Sequence, residues 1–277
     1  MRQATLSTGI QLSRGRRDMS SRVKDVVLSL ALCHNVSLFS LSMTCLYFLS
    51  KVTPVNNDDG SVTYQASSPD EVAIVNWTAS IGLTLVFRDR TRMELQTPSG
   101  SRLSYDILYI FPFTSESKRM GIIVRDTSTH EILFLQKGAD VVMSKIVQRN
   151  DWLEEETANM AREGLRTLVM ARKRLSPNLY KGWEKRYHDA SVLLEGRNEV
   201  MQNVIGEILE HDLELLGLTG VEDKLQEDVK GTIELLRNAG VKIWMLTGDK
   251  IETARCIAVS TKLVARNQYI HEVAKCK

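Results

Sequence analysis

Residues 241–256, VKIWMLTGDKIETARC, constrain the fold more than any other part of this chain. Val241, Ile243, Trp244, Met245 and Leu246 form an apolar run that reads as a buried strand, cut off at Thr247-Gly248-Asp249. A helix is predicted from about Lys250, with Ile251, Ala254, Ile257 and Ala258 on one face. Strand, glycine turn and helix N-terminus bring backbone N–H groups and the positive end of a helix dipole to one point. That is where open α/β sheets bind phosphate. Asp249 and Glu252 also fit a D-x-x-E capping box, in which they would only start the helix. Spacing alone leaves both readings open.

The pattern before this stretch supports an α/β unit. A strand at 213–218, a helix at 225–237 and the strand at 241–246 spell βαβ, with Gly240 where a helix C-cap belongs. Such a unit implies a parallel sheet. Upstream the pattern differs. Strands are predicted at 61–65, 84–88, 92–97, 102–112, 119–125, 131–136 and 165–173, with a hairpin turn through Asp126-Thr127-Ser128-Thr129. Helices are predicted from Pro69, a residue suited to a first helical position, and at 139–148, 151–162, 177–193 and 199–210. An antiparallel α+β unit thus gives way near residue 213 to the start of a Rossmann-like one.

A chain of 277 residues, 43% hydrophobic, can bury one large core or two modest ones. Its net charge of +2 points to neither nucleic acid nor an acidic partner. Cys33, Cys45, Cys256 and Cys276 have no C-x-x-C spacing and no histidine at metal-ligand spacing, so they read as reduced thiols. Residues 1–22 are rich in Ser, Arg and Gly and read as a flexible basic tail. From Val26 to Ser50 there is no Asp, Glu, Lys or Arg. His34, Asn35 and a scatter of Ser and Thr make this run a poor membrane span.

Six ordered motifs over about two thirds of the chain carry a family resemblance. They are Ser67-Ser68-Pro69-Asp70-Glu71-Val72-Ala73; Phe111 to Ser115 with Lys118-Arg119-Met120; Lys137-Gly138-Ala139-Asp140; Glu163 to Leu168; Thr219 to Gln226; and Thr247-Gly248-Asp249. Together they resemble the P-type ATPases, in the wording of the type IV branch, the phospholipid flippases. The resemblance implies an α+β nucleotide-binding domain, an antiparallel sheet flanked by helices, followed by a partial Rossmann-like (HAD-type) domain. It divides the chain into a tail (1–22), a nucleotide-binding domain (23–212), part of a phosphorylation domain carrying the TGD motif (213–262) and a C-terminal tail (263–277). Residues of about 37–52 look like an atypical apolar insertion.

The resemblance also assigns roles. Phe111 and Phe113 flank a proline and would by default be core or edge-strand aromatics; the family match puts Phe113 against adenine. Lys118 and Lys137 would otherwise be solvated charges. The KGA match carries Lys137 to the nucleotide cleft, and the FTSxxKR match adds Ser115 and Lys118. Glu71 suits the first turn of a helix, and the family places it near adenine. Arg166, otherwise an ordinary strand arginine, would reach a phosphate as a bidentate donor. Thr247, Gly248 and Asp249 would order the transferring phosphoryl group.

The family's phosphorylation motif, DKTGT, and its magnesium-holding GDGxND segment do not occur in this sequence. No catalytic or metal-ligating residue is therefore assigned. ATP is the expected ligand, with Mg²⁺ held by segments absent here and phospholipid and membrane met through transmembrane parts also absent here. Nucleotide binding without turnover is the expectation, on a membrane-associated parent whose domains face the cytosol of Golgi, endosome or plasma membrane. The lipid and any accessory subunit are not legible. The alternatives are a non-catalytic fragment that associates with a flippase or a membrane, or a chain too incomplete to fold stably.

Overall fold

Closely spaced segments of alternating pattern, separated by Asp, Gly, Ser and Thr turns, build a meander. The computed structural model describes residues 3–7, 19–34, 54–56, 62–64, 69–222, 225–265, 267–271 and 273. The elements begin with β1 (Gln3–Ser7), α1 (Met19–Leu32), β2 (Pro54–Asn56), β3 (Val62–Tyr64) and α2 (Pro69–Ser80). Then come β4 (Thr84–Arg88), β5 (Arg92–Gln96), β6 (Arg102–Phe111), β7 (Arg119–Asp126) and β8 (Ile132–Gly138). Helices α3 (Asp140–Met143) and α4 (Leu153–Arg162) lead to β9 (Arg166–Leu175), and α5 (Pro177–Ser191) and α6 (Arg197–Ile208) to β10 (Glu214–Glu222). Helices α7 (Val229–Asn238) and α8 (Ile251–Ser260) complete the order.

Strands β4 to β10 lie side by side in chain order, every neighbour antiparallel, and β1 adds an eighth strand beyond β10. β2 and β3 form a separate hairpin. The turn after β7 is held by Asp126, whose Oδ1 accepts from the Ser128 and Thr129 amides. α5 starts on Ser176, whose hydroxyl accepts from the Leu179 amide, with Pro177 in its first turn.

The sheet is covered on both faces. Leu85, Leu95, Ile122, Val124, Leu133 and Leu135 pack with Val26 and Leu30 of α1 and Ile74 and Val75 of α2. Ile123, Phe134, Val169 and Ala171 pack on the other side with Met160 of α4, Trp183 of α5 and Val204 of α6. Every residue of β8 is consequently buried. A strand covered on both sides gains roughly 1.5–3 kcal/mol for each large side chain it removes from water.

The predicted parallel unit is not formed. β10 pairs antiparallel with β9 along one edge and with β1 along the other, so neither edge is open to a further strand. Residues 241–246, expected as a strand, lie outside any strand, with Trp244 84% and Leu246 96% exposed. α7 buries none of its residues. α8 does dock, against α4, where Cys256 approaches so closely that a Cβ on Gly164 (φ +83°) would lie 2.9 Å from its Sγ.

Gln3–Ser7, inside the segment read as a tail, is the strand β1. The expected insertion at about 37–52 lies outside the described residues, as do Cys45 and Cys276. Among the described residues no helix is long and apolar enough to cross a membrane.

Candidate functional site

Helix α2 begins with Pro69-Asp70-Glu71, so two consecutive carboxylates leave its first turn at one end of the sheet. Glu71 Oε1 accepts from Lys137 Nζ at 2.8 Å. Lys137 shares a sheet face with Leu133 and Leu135 by strand alternation, and it is only 5% exposed. The default reading of this lysine as a solvated charge is therefore overturned. A charge so removed from water requires a partner, and Glu71 is that partner.

Cys33, His34 and Arg88 lie beside this pair. Cys33 Sγ sits 3.8 Å from the Met120 and Leu135 carbonyl oxygens, and burial pushes its thiol up to about 11. His34 Nε2 is 2.9 Å from the Ala31 carbonyl oxygen, and its Nδ1 is 2.9 Å from Arg88 Nη1. A guanidinium can only donate, so Nδ1 accepts and Nε2 carries the proton. Burial, then the charges of Arg88 and Lys137, hold His34 well below the ordinary histidine value. Burial also lowers Arg88 to about 10, with Glu71 opposing.

A second cluster begins at Asp70. Arg166 Nη1 donates to Asp70 Oδ2 at 3.1 Å, while its Nε and Nη2 reach Asp249 Oδ1 and Oδ2 at 2.9 and 3.3 Å. The bond to Asp249 raises Arg166 further above its already high value, against the effect of burial. Thr247 Oγ1 donates to Asp249 Oδ2 at 2.9 Å and accepts from the Asp249 amide at 3.1 Å. Lys250 adds an ion pair to Asp140. The D-x-x-E capping box is not made: α8 takes Lys250 as its N-cap without a side-chain bond, and the Asp249 carboxylate turns to Arg166.

The remaining expected residues lie on the connection between β6 and β7. Phe111 is half-buried and packs on the core against Phe134 and Trp183, whereas Phe113 is 62% exposed. Ser115 and Lys118 are exposed. This loop is tied to the end of β8, where the Ala139 amide donates to the Lys118 carbonyl at 3.0 Å. Thr247 and Gly248 are exposed.

Glu71, Lys137, Arg166, Thr247 and Asp249 thus gather around the start of α2, and Phe113, Ser115 and Lys118 stand on a loop joined to the same strand end as Lys137. Asp70 and Asp140 were not singled out from sequence, although both lie inside quoted motifs, beside Glu71 and after Lys137-Gly138-Ala139. Cavities of about 1110 Å³, by α7 and α8, and about 440 Å³, between α3, α4 and α8, are lined by none of the nine expected residues. The gathered groups are instead engaged with one another. Among the described residues no cluster of His, Cys, Asp or Glu could hold a metal.

The family model for the P-type ATPase cytoplasmic domain N matches residues 40–228. The phospholipid-transporting ATPase NEO1 of Saccharomyces cerevisiae is 58% identical over 96% of this chain and 22% of its own length. A probable phospholipid-transporting ATPase IIB of Homo sapiens is 58% identical over 92% of the chain and 22% of its own length. For the probable phospholipid-transporting ATPase tat-5 of Caenorhabditis elegans the identity is 51%, over 92% of the chain and 23% of that protein. The chain spans less than a quarter of these curated relatives. Two motif-bearing clusters meeting at one end of an antiparallel sheet, and identities of this level across nearly the whole chain, make it a member of the P-type ATPase family, carrying its cytoplasmic domain N.

Proposed function

We propose that this chain is the ATP-binding portion of a phospholipid-translocating P-type ATPase, which couples ATP hydrolysis through an aspartyl-phosphate to lipid transfer between leaflets. The observation that carries this reading is the convergence of Asp70, Glu71, Lys137, Arg166 and Asp249, drawn from four distant segments, at one end of the sheet. The named relatives supply the substrate class, phospholipid.

On this reading Phe113, exposed and adjacent to the Lys137 strand end, offers its ring to adenine. Glu71 and Lys137 form the polar floor of the base site, and Arg166 takes a phosphate. Thr247, Gly248 and Asp249 belong to the first part of a phosphorylation domain whose HAD-type sheet is completed by other segments of the parent. Asp70 and Asp249 now occupy Arg166, so a phosphate would have to displace at least one carboxylate. The domain division at about 213 belongs to the same proposal, as do ATP with Mg²⁺ as the cofactor pair and the Golgi, endosomal or plasma membrane as the location.

Titration of the chain with ATP by calorimetry tests the reading. Binding weakened roughly tenfold or more in both Phe113→Ala and Lys137→Ala, with no steady-state hydrolysis, is expected. A folded wild-type chain that binds no ATP overturns it.

A further inference from the structure

The loop between β6 and β7 carries three of the proposed nucleotide contacts, yet no core side chain of its own anchors it between Pro112 and Lys118, where every residue is exposed or half-exposed. What holds it is a chain of polar bonds running to the far side of the sheet. Arg119, the first residue of β7, donates from Nε and Nη2 to Glu210 Oε1 and Oε2 at 2.7 and 2.6 Å. Its third nitrogen, Nη1, donates to the Ser117 carbonyl at 3.1 Å. The Ser117 amide donates to Thr114 Oγ1 at 3.0 Å, and the Lys118 amide to the Thr114 carbonyl at 2.8 Å.

Lys118 sits in the left-handed region, φ +50°, a conformation that a side chain-bearing residue adopts only under outside constraint. Arg119 supplies the constraint on one side. On the other, Gly138 packs so closely that a Cβ there would lie 2.7 Å from Arg119 Cβ and 3.0 Å from the Lys118 carbonyl oxygen.

Glu210, nearly buried just after α6, is gripped a second time. Gln136 of β8 donates Nε2 to Glu210 Oε1, while its own Oε1 has no partner among the described residues. Leaving that acceptor unsatisfied in a buried place costs about 1–3 kcal/mol, which the bond to Glu210 must offset. A bidentate guanidinium–carboxylate pair with a third donor has one geometry, so it transmits position rather than mere attraction.

We infer that Arg119 and Glu210 are a positioning pair for the nucleotide loop: Glu210, fixed by Gln136, sets the Arg119 guanidinium, which sets the turn that presents Phe113, Ser115 and Lys118. Neither residue touches nucleotide. The inference rests on the nucleotide-pocket reading above.

The test is ATP titration of the full chain carrying Glu210→Gln, Phe113→Ala and both, beside thermal melts. Wild-type binding establishes the pocket; its absence removes that reading and this inference with it. Given binding, Glu210→Gln is expected to weaken ATP roughly tenfold at a temperature where it remains folded. Phe113→Ala should then add little in the Glu210→Gln background, because the ring is already misplaced. A Phe113→Ala effect of equal size in both backgrounds, with only the melt lowered, overturns the inference and leaves the pair a structural one. If Glu210→Gln does not fold, Arg119→Lys, which keeps the charge and loses the fork, takes its place with the same expectations.

Discussion

Trp183 and Trp244 show what divides the molecule. Trp183 of α5 is fully buried among Tyr109, Phe111 and Tyr187, on a sheet with helices over both faces. Trp244 stands in an apolar run read from sequence as a buried strand, and it is 84% exposed. Local pattern separates their elements, helix from strand, but not their burial. The first finds a surface to cover in its own chain; the second finds both edges of β10, the strand it was expected to join in a βαβ unit, already paired with β9 and β1. A strand preference is a preference for pairing, and it lapses where no partner is within reach.

The sharpest way to break this comparison is to truncate both tryptophans. Trp183→Ala should lower unfolding free energy by about 3–5 kcal/mol in urea. Trp244→Ala should stay within about 0.5 kcal/mol of the parent. Equal losses would mean that residues 241–246 are packed in solution.

A smaller effect addresses the buried charge under the sheet. Lys137→Met takes from Glu71 its ion-pair partner in an enclosed place, with Arg88 still nearby, and stability should fall by about 3 kcal/mol. The double variant Lys137→Met/Glu71→Leu should recover most of that loss. A double variant as unstable as the single one would show that the pair contributes through something other than mutual neutralisation. The ion pairs of the C-terminal part offer the contrast: Lys262 and Glu234 are exposed, so cutting their bond should hardly register.

The smallest expected effect is one of pH. His34 is held neutral in the folded chain, its value lowered by burial, so between that value and the ordinary one near 6.5 only the unfolded chain binds the proton. Stability from this source is complete above about pH 6.5 and declines as pH falls, at no more than about 1.4 kcal/mol per pH unit. Melts from pH 7.5 to 5.5 should therefore fall more steeply for the parent than for His34→Asn. Parallel slopes would remove His34 as the cause.

Much of the sheet was legible beforehand. Strands 84–88, 92–96 and 102–111 fall within a residue of their predicted limits, since turns rich in Asp, Gly and Ser bound them closely. The segment expected at 213–218 runs to Glu222, because pairing with β9 and β1 continues beyond its apolar part. Residues 139–148 yield only the short α3, since the chain turns there to let Val147 bridge Leu213.

At the site the motifs marked segments that the fold brings together, without naming the partners. Nothing in the pattern said that Lys137 would be buried against Glu71, or that Asp249 would bind Arg166 rather than cap α8. Glu210 carries no motif at all, and its tie to Arg119 spans 91 positions along the chain.

The sequence by itself determined the family, the succession of strands and helices between residues 69 and 222, and which segments bear charge in an ordered set of motifs. These rest on local spacing and on residue identity, which the chain carries whatever its shape. Only the tertiary structure decided which charges neutralise each other, which aromatic faces water and which expected strand does not form. Those depend on what lies across the sheet and on how many edges it has to offer, and spacing along the chain encodes neither.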